Sequence, residues 1–160
     1  FDQTWKFQID PEEVGEHTGL WKREITGGSW QRMDTRRSWS NEGLRYYKGV
    51  AWYRQSVQIP GSADGKRAFI WIGGVDERAK VWVNGHYLGS GGGTFQPWDL
   101  DATEAIRPGE SNEIGRASCR ERLNELGTGG LTGPVMFYSP TRADAEPSGQ
   151  QAPAREGEGV

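Results

Sequence analysis

The chain has 160 residues and a net charge of −3, with both signs scattered along it, so no basic stripe suited to nucleic acid is present. No apolar run approaches membrane-spanning length and no signal peptide is visible, which sets aside a membrane partner. Twenty-four glycines, eight prolines and eight tryptophans favour one turn-rich all-β domain over helices, with a core large enough to stand alone.

Thr4 to Asp10 alternates Trp5, Phe7 and Ile9 against polar residues, the pattern of a half-buried strand. Pro11 to Gly19 reads as a loop, and the stretch holding Trp30, Met33 and Trp39 is too irregular for a strand or a helix. Arg36 to Tyr47 is a loop that concentrates aromatic and hydrogen-bonding side chains. Val50 to Ile59 is the longest strand, with Ala51, Tyr53, Val57 and Ile59 on one face and Trp52, Arg54, Ser56 and Gln58 on the other. Pro60-Gly61 stops it, and Ala63 to Lys66 turns the chain back.

Phe69 to Ile72 is apolar on both faces and suits a strand covered on two sides, which places Trp71 in the core. Gly73-Gly74 ends it. Val81 and Val83 then share an inward face with Ala79, while Lys80 and Trp82 point the other way. Asn84-Gly85 follows, a dipeptide that accepts the positive φ angles of a type I′ hairpin turn. Beyond the glycine run at Gly89 to Gly93, Phe95 to Asp101 is extended, Asp101 to Ile106 makes a helical turn, and Leu131 to Tyr138 closes the domain. About seven short strands with Gly and Pro punctuation predict an all-β sandwich. From Thr141 onward apolar content collapses, so residues 141–160 are expected to be a disordered tail or linker and residues 1–140 the folded domain.

An ordered set of segments carries a resemblance. It begins with Trp5-Lys6-Phe7 and Asp10-Pro11, then Tyr47 to Arg54 (YKGVAWYR) and Ile59-Pro60. It continues through Gly73 to Gly89 (GGVDERAKVWVNGHYLG), Gly91 to Asp101, Arg107 to Glu110 and Gly129 to Pro134. Together they resemble the amino-terminal sugar-binding domain of glycoside hydrolase family 2, which includes β-galactosidases, β-glucuronidases and β-mannosidases. The resemblance implies a jelly roll similar to galactose-binding domains, bracing a catalytic barrel that cleaves β-linked sugars. Both catalytic glutamates of that family sit on the barrel, downstream of the region matched here. The parts implied for this chain are therefore non-catalytic, with the barrel and carbohydrate as partners.

One block departs from the family pattern. Where an alternating apolar strand belongs, Glu113 to Arg122 reads EIGRASCRER, with charges crowding its second half and no strand period. It is similar to translated sequencing-adapter DNA: GAG ATC GGA AGA GCG TCG TGT AGG GAA AGA encodes it. That similarity implies foreign residues at 113–122 and a core strand lost or degraded, leaving a paired edge exposed; a natural charged loop is the competing reading. Cys119, within the block, is the lone cysteine, so no internal disulfide forms.

No pair of acids stands in an apolar setting of the kind that glycoside hydrolysis needs. Asp76-Glu77, Glu12-Glu13 and Asp99 with Asp101 read as turn or surface residues, and no catalytic residue is assigned. The two histidines and one cysteine lack metal-ligand spacing, so neither a metal nor a cofactor is expected. Asn84 reads as the first turn residue rather than a sugar-binding amide. Trp52 and Trp82, facing away from the main apolar alternation, are candidates for stacking on a pyranose as well as for packing. In some family members the loops at 36–47 and 124–133 reach the sugar site. By that analogy Asn41, Glu42, Tyr46, Tyr47, Asn124 and Glu125 are candidates for contacts near substrate. A free-standing carbohydrate-binding module and a fragment without independent function are the competing readings.

Overall fold

The structure is a computed structural model and describes residues 1–25, 28–93, 96–120 and 129–140. Among them the strands are β1 (Thr4–Asp10), β2 (Gln31–Asp34), β3 (Gly49–Gln58), β4 (Phe69–Ile72), β5 (Val75–Val83), β6 (His86–Gly93), β7 (Trp98–Asp101), β8 (Ser111–Arg120) and β9 (Val135–Tyr138). A four-residue helix, α1 (Gly15–Thr18), and two 3₁₀ turns at Trp39–Glu42 and Gly61–Ala63 complete the regular structure. The strands make two antiparallel sheets, ordered β2-β1-β3-β8-β5-β6 and β7-β4-β9. This is the sandwich that the alternation predicts.

The core lies between the sheets. Trp5, Phe7, Ala51, Tyr53, Val81, Val83 and Ile114 face it from the larger sheet, and Ile70, Ile72 and Val135 from the smaller. An aromatic knot thickens one side: the Phe7 ring meets Tyr53 edge-on at 5.0 Å and Trp39 at 6.3 Å. The β5–β6 hairpin turns at Asn84 and Gly85 with φ of 49° and 84°, as type I′ geometry requires. Asn84 does more than turn. Its buried amide donates to the Ala105 carbonyl (2.9 Å) and Asn112 Oδ1 (2.7 Å), and its oxygen accepts from the Glu113 amide (2.9 Å).

The outer face of the larger sheet is covered by the chain between β1 and β2. Trp52 and Trp82 lie there, packed under Leu20, Trp21 and Trp30. Arg54 holds this cover down. Its Nη1 donates to the carbonyls of Leu20 (2.8 Å) and Lys22 (2.6 Å), Nη2 to that of Arg23 (3.0 Å), and Nε to Glu113 (3.0 Å). Asp10, buried at the end of β1, receives the Val14 and Gly15 amides and the Trp52 indole N–H, which starts the cover at its other end.

Several expectations need correction. The irregular stretch around Met33 contains β2, which becomes a strand because β1 offers it a free edge from Thr4 to Phe7. Ile9 keeps the parity of Trp5 and Phe7 but is 39% exposed. Trp71 is half-buried rather than in the core: Ile70 and Ile72 take the inward face of β4, leaving Phe69 and Trp71 on the outer face, where Phe69 stacks on Tyr138. Asp76 and Asp99 are buried, not surface residues.

The largest correction concerns residues 113–120. They are extended and form most of β8, paired with β3 from Gly49 to Gln58 and with β5 from Arg78 to Val83. No edge is left open there. Backbone hydrogen bonds on both sides hold the segment extended whatever its side chains prefer. Its side chains fit the site less well, as Arg116 shows below. Residues 121–128 and 141–160 lie outside the described residues, as do Asn124, Glu125 and the predicted tail.

Candidate functional site

The end of the sandwich where β3 begins brings the first loop singled out from the sequence, 36–47, against residues 129–133, the described part of the second. Their bases are fastened to one another. The Trp39 amide donates to the Gly129 carbonyl at 3.2 Å, and the Trp39 indole N–H donates to the Tyr53 hydroxyl at 2.6 Å. From β5, Asp76 Oδ2 accepts the Gly129 amide (2.6 Å) and the Asp76 amide donates to the Gly130 carbonyl (2.9 Å). Trp39 is the keystone: it is fully buried, and its ring lies flush on the Gly129-Gly130 backbone. A Cβ at Gly129 would sit 2.4 Å from that ring, and φ there is +69°, so glycine is needed on two counts. Burial drives the Tyr53 hydroxyl pKa up to about 12, partly offset by its bond from Trp39, so it stays protonated at neutral pH.

The first loop's candidates divide by what they touch. Asn41 is exposed in the 3₁₀ turn, its amide donating to the Ser38 carbonyl at 3.0 Å. Glu42 is half-buried and pairs with Arg37 at 3.4 Å. Tyr46 stands out into solvent at 87% exposure. Tyr47 turns inward, its ring 5.5 Å from Trp39 and its hydroxyl donating to the Val50 carbonyl, so it shapes the loop from beneath. The structure thus brings Asn41, Glu42 and Tyr46 to the loop that rises from the Gly129 base.

Trp52 and Trp82 are elsewhere. They are 1% and 4% exposed, with ring centroids 5.2 Å apart under the cover. Stacking on a pyranose needs an open ring face, and neither indole presents one. Two aromatic rings nearer solvent on this side belong to residues not singled out from the sequence. Tyr87 is 54% exposed and Trp21 half-buried, and both line an open groove of ≈ 1080 Å³ with Glu16, Arg78 and Lys80. Tyr87 follows the Asn-Gly turn on an edge strand, a position that exposes one face; Trp21 carries no such signal. Among the described residues, no group of three or more His, Cys, Asp or Glu side chains is placed to hold a metal ion.

The family described as glycosyl hydrolase 2 galactose-binding domain-like matches residues 35–124, from the first loop through the central hairpin and β8. The chain belongs to this family. A β-glucuronidase of Paenibacillus borealis is 32% identical over 114 residues, covering 69% of this chain and 19% of that protein. A β-galactosidase of Thermoanaerobacter pseudethanolicus is 38% identical over 68 residues, 42% of this chain and 9% of that one. Among solved structures, the Ruminococcus gnavus β-glucuronidase in complex with an N1-substituted uronic isofagomine is similar with a TM-score of 0.69 at 28% identity, covering 78% of this chain and 22% of that one. This family 2 chain therefore spans about a fifth of the length of these β-glucuronidases.

Proposed function

We propose that this chain is a non-catalytic accessory domain of a family 2 glycoside hydrolase of the β-glucuronidase or β-galactosidase type. In this reading it braces a catalytic barrel and presents one wall of the sugar site. The observation that carries the reading is the shared base of the two loops, in a chain whose match covers about a fifth of its β-glucuronidase relatives. A loop that must reach into a neighbouring domain's site needs a stiff root, and Asp76, Trp39 and the Gly129-Gly130 pair supply one. Asn41, Glu42 and Tyr46 then face the sugar, with Tyr47 supporting them; Asn124 and Glu125 belong to the second loop, outside the described residues. The barrel supplies both carboxyl groups of the reaction.

The test is turnover of nitrophenyl β-glucuronide and β-galactoside by the purified chain. No hydrolysis is expected, and reproducible turnover that copurifies with the chain overturns the assignment. A second reading, a carbohydrate-binding module acting alone, is favoured by the Tyr87–Trp21 groove. Calorimetry against monosaccharides and polysaccharides separates the two. An accessory domain gives no measurable heat of binding, whereas a module gives binding that Tyr87→Ala abolishes.

A further inference from the structure

Arg116 stands in the middle of β8, opposite Tyr53 on β3 and Val81 on β5, both of which face the core. It is 0% exposed, and its Nε, Nη1 and Nη2 have no hydrogen-bond partner among the described residues. Burial pushes its pKa down to about 9, only partly offset by Tyr53, which still leaves it charged at neutral pH. An unanswered buried charge is among the costliest single features a core can hold.

The same sheet contains its own control. Arg54, on β3 and on the opposite face, is also buried, at 5% exposure. Yet it spends its donors on three carbonyls and on the Glu113 carboxylate. Two arginines therefore sit on adjacent strands, one built into a network and one not. The neighbours of Arg116 along the inward row are Ile114 on its own strand, Val81 on β5 and Tyr53 on β3, whose hydroxyl is engaged by Trp39, a row for an apolar side chain.

We infer that position 116 is an apolar position of this fold and that the charge there is foreign to it, brought in with the part of residues 113–122 that follows Glu113 and Ile114, both of which the fold uses. The similarity of that decapeptide to translated adapter DNA supplies a source outside the gene. The backbone tolerates the replacement because pairing with β3 and β5 depends on main-chain groups alone. The side chains do not share that indifference, and Arg116 is where the mismatch shows.

The experiment compares the full chain with Arg116→Leu, Arg116→Lys and Arg54→Leu by thermal and urea unfolding. Arg116→Leu is expected to raise the midpoint by roughly 5–10 °C. Arg116→Lys, which keeps the charge, stays at or below the parent, and Arg54→Leu falls. A midpoint for Arg116→Leu that is unchanged or lowered overturns the inference, since it means the guanidinium is answered by a partner. Should the parent show no cooperative transition, Arg116→Leu is expected to gain one, and its failure to do so also overturns it. Sequencing the source DNA by a chemistry without adapter ligation is expected to return other codons across 115–122. Recovery of the same codons refutes the foreign origin.

Discussion

Trp39→Ala removes the keystone under both loops, and its cost can be worked from the contacts. The ring is fully buried among Phe7, Tyr47, Tyr53 and the Gly129-Gly130 backbone. Emptying a buried tryptophan site costs about 3–5 kcal/mol because the surroundings collapse only in part. The Tyr53 hydroxyl also loses its 2.6 Å donor in a buried setting, which adds about 1 kcal/mol. A sum near 4–6 kcal/mol is a large share of the roughly 5–15 kcal/mol that holds a domain of this size together. Trp39→Phe keeps most of the ring and loses the indole N–H, so about 1–2 kcal/mol is expected. Urea unfolding followed by far-ultraviolet circular dichroism measures both. Limited proteolysis supplies a second reading, since loosening the shared base exposes residues 36–47 and 129–133 to cleavage together. The reasoning fails if Trp39→Ala costs less than about 1 kcal/mol, or if only one of the two loops becomes cleavable.

Three further outcomes are expected. Asn84→Ala strands the Ala105, Asn112 and Glu113 groups that its amide serves and should cost about 3–5 kcal/mol by urea unfolding; Asn84→Asp, which sets a buried carboxylate oxygen against the Ala105 and Asn112 oxygens, should be no more stable than Asn84→Ala at neutral pH. Gly129→Ala combines a positive φ with a 2.4 Å clash against Trp39, so a loss of about 2–3 kcal/mol is expected in the same assay. Burial raises the Asp99 carboxyl pKa, partly offset by the Tyr138 hydroxyl, so the folded state holds the proton more tightly than the unfolded chain. Stability at this site therefore grows as pH falls through the raised value toward the ordinary 3.8, and Asp99→Asn should be the more stable protein at neutral pH. The two thermal midpoints should converge below pH 3.8; a gap that persists there refutes the assignment.

The parts of the fold that could be read in advance are those where one short segment contains its own reason. Asn84-Gly85 specifies its turn, and the alternation through Val81, Val83, Ala51 and Tyr53 specifies which faces meet. Positions whose fate depends on what lies over them could not be read this way. Trp52 and Trp82 look alike to a solvent-facing pair until Arg54 is seen pulling residues 20–23 down across the sheet. Asp76 reads as one acid in a charged turn, and its role appears only when Gly129, more than fifty residues later, brings its amide within 2.6 Å. The two candidate loops were found by resemblance, whereas the contacts that join them leave no local trace.

Position 116 brings both kinds of information into conflict, and so tests which one governs. The side-chain pattern of residues 113–120 argues against a strand, yet their backbone is paired along both sides. If main-chain pairing alone selects the structure, a charged inward residue lowers stability without changing topology, and Arg116→Leu recovers the lost stability with an unchanged circular dichroism spectrum. If side-chain pattern governs instead, the parent chain lacks β8, and Arg116→Leu should add β-sheet signal along with stability. Amide hydrogen exchange across β3 and β5 separates these cases. Protection in the parent along Gly49 to Gln58 and Arg78 to Val83 on the β8-facing amides requires the central strand to be in place.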